Sequence, residues 1–508
     1  MTWTPEKNLS QELPNGFQLL DGERLLRIEQ PSRRYFLQPP SSLEQILRLT
    51  RARQESEIGK HGPSIAALAM ESISLIDDDK PPEHLRLYEV VFGRDSLRMA
   101  IDLISSYPEL ARTTVLELAK LQGLSENTTR EEEPGRIVHE VRSPDDKIAI
   151  KLTEERGWGW PYYGSVDATP EFIRTLAAYC HKSEENHAFL SEEYVDLAGD
   201  TQTISHSLEL ALDWILQRLD SNPEGLLEFK SPLPLGIENQ VWKDSWDAYH
   251  HADGSLANHN QGIASIEVQT TTYDALLDAA ELMENALDQQ SRGNDLRLKA
   301  SRLKEAILEH FWTKDKGGYF VLGTDRNNDG SLRQMKIRTS NMGHVLNSRL
   351  LSGDDAEIVR RREAVMNHML SPEMQNASGI RTLASDEVRF RPGSYHNGSV
   401  WLWDTHHIAK GMRRHGYVKE ARELDQKILN VPKVTFMFPE YVRGDDSPEP
   451  STNQYIISVY DEINHRENLV EQPPQEVQGW TTAAILATTN RINRERIENL
   501  IDSAQQVN

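Results

Sequence analysis

The sequence predicts an all-α fold, an (α/α)6 barrel or six-hairpin toroid with a short N-terminal arm or few-stranded β extension, and three observations carry the prediction. About a dozen segments repeat apolar residues at three- and four-residue spacing, the period of a helix with one buried face. Convincing strands are few. Clusters of aromatic and polar residues stand before roughly every other helix. If inner and outer helices alternate, those clusters meet at one end of the barrel, where helix N-termini also present unpaired N–H groups.

Taken in order, residues 1–60 read as an extension, because "GFQLLDGERLLRIEQPSRRYFLQPP" (16–40) alternates weakly and ends in prolines. The barrel is assigned to 61–508. Its helical segments begin with "SIAALAMESISLI" (64–76), "SLRMAIDLISSY" (96–107), "TVLELAKLQ" (114–122), "TPEFIRTLAAY" (169–179) and "TISHSLELALDWILQRL" (203–219). They continue through 271–287, 296–312, 341–351, 357–370, 404–417, 419–431 and 480–492. Strands are expected at "GGYFVLG" (317–323) and "KIAIKL" (147–152). Residues 126–144 read as a solvated loop whose inner "GRIVHE" is less polar, and no repeat of 34 or 40 residues recurs.

Composition bounds the function. The 508-residue chain carries a formal charge of -23, which repels nucleic acid and anionic membrane and suits a neutral substrate. No apolar run reaches the length of a membrane span. The start, "MTWTPEKNLSQELPNGF", lacks basic and apolar targeting regions. The single cysteine, Cys180, excludes an internal disulfide and agrees with a cytoplasmic location; in "FIRTLAAYC" it reads as a buried structural thiol.

Several motifs have ordinary explanations. In "VFGRDS" (91–96), Asp95 or Ser96 would serve as a helix cap, and so would Asp167 in "GWGWPYYGSVDATP" (157–170). Capping does not explain Trp158, Trp160, Tyr162 and Tyr163 within six residues of loop, whereas stacking on the C–H faces of sugars does. The pairs His250–His251 and His406–His407 lack a metal-binding frame, so no metal is expected. "DRNNDGSLRQMK" (325–336) starts like a calcium loop but has Lys336 at its twelfth position, and reads as a hairpin turn. Phosphate-cradling glycine motifs and a G-x-S-x-G elbow are absent from the sequence.

What remains is carboxylates in aromatic company, the chemistry of glycosidic bonds. Inverting hydrolysis needs one carboxyl to protonate the leaving oxygen and another, across the ring, to activate water. "QVWKDSWDAYHHADG" (240–254) sets Asp244 between Trp242 and Trp246, where desolvation favours its protonated form and Lys243 would oppose it. "TFMFPEYVRG" (435–444) presents Glu440 beside Phe438 and Pro439 as a candidate base.

The ordered series "FGRDS", "YYGSVDATP", "VWKDSWDA", "EVQTTTYDAL", "SNMGHVL", "GIRTL", "YHNGSVWLWDT", "FPEYVRG" and "VQGWTTAAI" resembles the amylo-α-1,6-glucosidase domain of glycogen-debranching enzymes, over roughly residues 60–490. The resemblance implies an (α/α)6 barrel related to glucoamylase and trehalase, an inverting mechanism without a cofactor, Asp244 as acid and Glu440 as base. It places substrate contacts on Arg94, Asp95, Tyr163, Asp167, Trp242, Lys243, Gln269, His396, Asn397, Trp401 and Asp404. Leu402 stands where many relatives have proline. With only about sixty residues before the barrel and no partner transferase domain, short substrates are expected to be cleaved better than glycogen.

Three functions follow for comparison. The first is an exo-acting α-glucosidase on an oligosaccharide or small glucoside, with mannose as an alternative sugar. The second is a non-hydrolytic barrel enzyme, an epimerase or lyase, using His250, His259, His344 or His396 for proton transfer. The third is an inactive sugar binder. For an inverting enzyme the two carboxyl groups should stand about 6.5–9.5 Å apart, against about 5–5.5 Å in a retaining one.

Overall fold

The computed structural model describes residues 90–143, 145–435, 437–452, 474–475 and 477–506, together with seven short strand segments outside these ranges. Among the described residues there are twelve α-helices: α1 (Gly93–Leu103), α2 (Pro108–Lys120), α3 (Lys147–Arg156), α4 (Ala168–Cys180), α5 (Ile204–Ser221), α6 (Ile266–Asn285), α7 (Gln290–His310), α8 (Asn341–His344), α9 (Ala356–Met369), α10 (Leu402–Arg414), α11 (Val418–Thr435) and α12 (Gly479–Gln506).

Helices α1, α4, α6, α8, α10 and α12 each pack on the next, and α12 packs back on α1, so the ring closes. Between them run α2, α5, α7, α9 and α11, each following an inner helix in sequence. This alternation is a helical barrel. The inner helices show why their sequences are apolar nearly all round: eleven of the thirteen residues of α4 are buried, because its neighbours in the ring and the outer layer cover every side. Leu176 on α4 is fully buried, and truncation to alanine there would cost about 2–5 kcal/mol. Outer helix α7 instead buries only Gly293, Leu296, Ala300, Leu303, Ala306 and Ile307, a single stripe at helical spacing.

The expected short strands of the N-terminal arm are present as Gln11–Leu13, Phe17–Leu19, Arg27–Glu29 and Arg34–Tyr35, an antiparallel sheet in sequence order. The helix expected over 64–76 lies outside the described residues, except that Ala69–Met70 forms a strand paired with Val477–Gln478. The strand expected at "KIAIKL" is helix α3. Asp146 accepts hydrogen bonds from the amides of Ile148 and Ala149, and Gly157 closes the helix in the left-handed conformation. These two caps outweigh the alternating pattern between them. Residues 317–323 contribute strands at Tyr319–Phe320 and from Gly323, and Gly323–Arg326 pairs with Leu332–Gln334 as the hairpin read from 325–336. Cys180 is a buried free thiol, pushed up to about 12 by burial. No helix among the described residues is long and apolar enough to cross a membrane.

Candidate active site

Local backbone geometry brings the site together. Gly93 donates its N–H to the His139 carbonyl, and a Cβ at Gly93 would lie 1.9 Å from the Val138 carbonyl oxygen, so only glycine lets the two segments touch. That approach sets Arg94 and Asp95, in the first turn of α1, beside His139. Val166 donates to the Gln240 carbonyl, which draws the loop before α4 to the loop carrying Asp244. A Cβ at Gly444 would meet the Gly398 carbonyl at 1.7 Å, and Val400 bridges Val442, which places Glu440 beside Tyr395 and Trp401.

One cavity results, lined by Arg94, Asp95, Asp244 and Glu440 together with Trp242 and Trp401. Phe92, His139, Tyr395, Gln475, Gln478 and Trp480 complete its wall. Beneath it lies a smaller hollow that shares Arg94, Trp242 and Trp480. Every inner helix contributes to that hollow: Arg98 from α1, Glu171 from α4, Glu267 from α6, His344 from α8, Trp403 from α10 and Trp480 from α12. It therefore marks the barrel axis. The cavity sits over the axis at the end where the inner helices start.

Arg94 is the electrostatic centre. Its guanidinium donates to Asp167 at 3.3 Å and to Asp244 at 3.4 Å, and lies 3.6 Å from Asp95. Burial lowers its pKa, but Asp167, Asp95 and Asp244 outweigh that and hold it above the ordinary value. Asp167 caps nothing; it also accepts a 2.6 Å hydrogen bond from the Ser165 hydroxyl. Burial pushes Asp244 up to about 6 against the pull of Arg94, and pushes Asp95 up to about 7. Glu440 rises to about 7 through burial, opposed by the Tyr395 hydroxyl, which donates to its Oε1, and aided by Asp244. The two candidate catalytic carboxyls thus face one cavity and feel each other's charge.

Trp242 stacks on His344 at 6.0 Å and meets Trp403 edge to face at 4.8 Å, so it forms a rigid aromatic floor. His396 stacks on Trp401 at 5.3 Å, and its Nδ1 lies 2.9 Å from the Ser245 hydroxyl. It pins the Asp244 loop from behind. Asp404 is fully buried against His344, one layer below the cavity.

Seven of the eleven residues assigned to substrate do not line the cavity: Asp167 faces the hollow beneath, His396 and Asp404 stand behind and below, and Tyr163, Lys243, Gln269 and Asn397 turn away. The Tyr163 hydroxyl donates to the Leu121 carbonyl, Gln269 bonds both backbone groups of Leu227, and Asn397 donates to the Asp247 carbonyl. Lys243 sends its ammonium to the Thr382 carbonyl at 2.6 Å, and burial lowers it to about 8. Lys243 and Asn397 belong to motifs that line the cavity, Tyr163 and Gln269 to motifs that reach the hollow beneath it, and each turns its own side chain into the wall. His139, Tyr395, Gln475, Gln478 and Trp480 carried no assignment. Tyr395, Gln478 and Trp480 adjoin quoted motif residues or lie within them, and His139 lies in "GRIVHE", the apolar interruption of an otherwise polar loop. Of the histidines considered for proton transfer, His250 is held near 3 by burial and His259 bonds Asn239, both outside this cavity.

Residues 174–455 match the family model described as "Mannosylglycerate hydrolase MGH1-like glycoside hydrolase domain", more than half of the 508-residue chain. The chain belongs to the MGH1-like glycoside hydrolase family. It is an enzyme that hydrolyses glycosidic bonds, and its substrate is a carbohydrate. The matched segment of this glycoside hydrolase contains Asp244 and Glu440, whereas Arg94, Asp95, Asp167 and Trp480 lie outside it. Its barrel is similar to the crystal structure of an uncharacterized conserved protein from Thermus thermophilus, with a TM-score of 0.54 and 12% identity over 88% of this chain and 100% of that one. That likeness concerns the fold alone. No curated protein matches the chain.

Proposed function

We propose that this glycoside hydrolase is exo-acting and inverting, and releases a terminal α-linked glucose from a short oligosaccharide or small α-glucoside. The observation that carries the reading is the pair Asp244 and Glu440 in one cavity, both pushed by burial toward neutral pH. Asp244 gives its proton to the glycosidic oxygen as the C1–O bond breaks. Glu440 takes a proton from a water that attacks C1 from the opposite face, and the sugar leaves as the β-anomer. Trp242 and Trp401 give the sugar an apolar wall, with Asp95 and Arg94 beside them for its hydroxyls.

The two carboxyls titrate as a pair, and the productive form carries one proton, on Asp244. Before sugar binds, the Arg94–Asp244 bond favours the opposite distribution. Sugar binding must reverse it, by drawing Arg94 onto hydroxyl oxygens and leaving Asp244 to the glycosidic oxygen. An α-mannosyl group is the second reading, favoured by the family's description.

The test is proton NMR of the first-formed sugar from paired α-glucosides and α-mannosides. An initial β-anomer supports inversion, an initial α-anomer removes it, and the faster series names the sugar.

A further inference from the structure

The cavity contains more negative charge than a two-carboxyl mechanism uses. Asp95, Asp244 and Glu440 line it with a single guanidinium among the described residues, Arg94, which is already shared among Asp95, Asp244 and Asp167. Glu140, paired with Arg142, lies within electrostatic reach of Asp244. An anionic ligand here would meet like charge in a place that screens it poorly.

The unpartnered atoms of the wall point the same way. Gln475 Oε1 is an acceptor without a donor, and Nδ1 of His139 has no partner either. Apart from the groups given to the terminal sugar, the indole N–H of Trp480 is a donor without an acceptor. A hydroxyl both donates and accepts, and so can answer either set. A carboxylate only accepts, and would leave the acceptors orphaned at a cost each.

From this juxtaposition of excess carboxylate with unanswered donors and acceptors, we infer that the leaving group is an uncharged, hydroxyl-rich aglycone, a polyol or sugar, and that the cavity discriminates against a hydroxy acid of the same size. Charge repulsion supplies the discrimination, because one unfavourable contact excludes a near-isosteric competitor that shape alone would admit. The inference rests on the hydrolase reading above.

Two matched pairs test it: glucosylglycerol against glucosylglycerate, and mannosylglycerol against mannosylglycerate, all α-linked. Within each pair only a CH2OH group is exchanged for a carboxylate. With the full chain near pH 7.5, the glycerol member should have the higher kcat/KM by about ten-fold or more, as one uncompensated charge contact gives. The gap should narrow with added salt and in the variant Asp95→Asn, since both weaken repulsion. Equal or better cleavage of the glycerate member in both series overturns the inference. So does cleavage of other α-glycosides with neither member of either pair accepted. If no α-glycoside of any kind is cleaved, the assignment of Asp244 and Glu440 fails separately, and calorimetry decides the charge question alone. Tighter binding of the glycerol glycosides then upholds it, and tighter binding of the glycerates ends it.

Discussion

Asp325 and Glu440 are both buried carboxylates, and their surroundings drive them in opposite directions. Asp325 accepts hydrogen bonds from Arg333 and the amide of Asn258 and contacts His251 at 3.0 Å; these outweigh burial and hold it below the usual carboxylate range. Asp102 is similar, with Lys410, His406 and Arg98 overcoming its burial. Glu440 has the Tyr395 hydroxyl and a long 3.5 Å contact from the Gln475 amide, with no cation among the described residues, and burial prevails. Burial alone therefore does not mark a functional acid. Burial that outweighs the charged partners does, as at Glu440 and at Asp244 despite Arg94, since a group that must gain and lose a proton cannot be locked in its charged form.

The contrast breaks most sharply in kinetics. Glu440→Gln should lower kcat by about 100-fold or more on activated and unactivated glycosides alike, because water activation is needed whatever the leaving group. Asp244→Asn should cost as much only on poor leaving groups. Steady-state rates on an aryl glycoside and an alkyl glycoside separate the two, and interchanged patterns would swap the roles.

Stability offers the next test. Glu440 binds its proton more tightly folded than unfolded, so between about pH 4.5 and 7 the folded state holds a proton that the unfolded state has released, and stability falls as pH rises. Glu440→Gln removes that loss. The variant should be more stable than the parent by up to about 3 kcal/mol at pH 8, with the difference fading toward pH 4, in urea melts at both values. Asp325→Asn should behave oppositely: its lowered pKa contributes stability above the ordinary carboxylate range that disappears as pH falls. The variant should be weaker by about 1–3 kcal/mol at pH 7, with kcat unchanged.

A smaller effect sharpens the role of Tyr395. Its hydroxyl favours the ionised form of Glu440, so Tyr395→Phe should shift the acidic limb of the kcat/KM profile upward by up to about one pH unit. An unmoved limb would detach that bond from the base. Smallest of all, Tyr163→Phe should leave kcat and KM unchanged and cost about 1 kcal/mol of stability, since the hydroxyl only anchors the Leu121 carbonyl.

Much of the molecule was legible in its residues. The inner helices announce themselves because they are apolar and each follows an aromatic or polar cluster. At 147–152 Asp146 and Gly157 frame a helix by the ordinary capping rules, and alternation over six residues is a weaker signal than two caps. Asp244 and Glu440 were chosen for aromatic company, and aromatic company is local.

What the sequence determined by itself was periodicity, motif order and the chemical type of the site, because each depends on residues near one another in the chain. Which side chain within a motif turns toward the cavity was decided only by tertiary structure. In "VWKD", Trp242 and Asp244 line it while Lys243 between them reaches Thr382, some 140 positions away. In "SYHNGS", Tyr395 holds Glu440 while Asn397 ties back to Asp247. In an irregular loop no period assigns faces. Each side chain goes where a distant carbonyl, carboxylate or ring completes its hydrogen bonds, and that partner is known only once the barrel has closed.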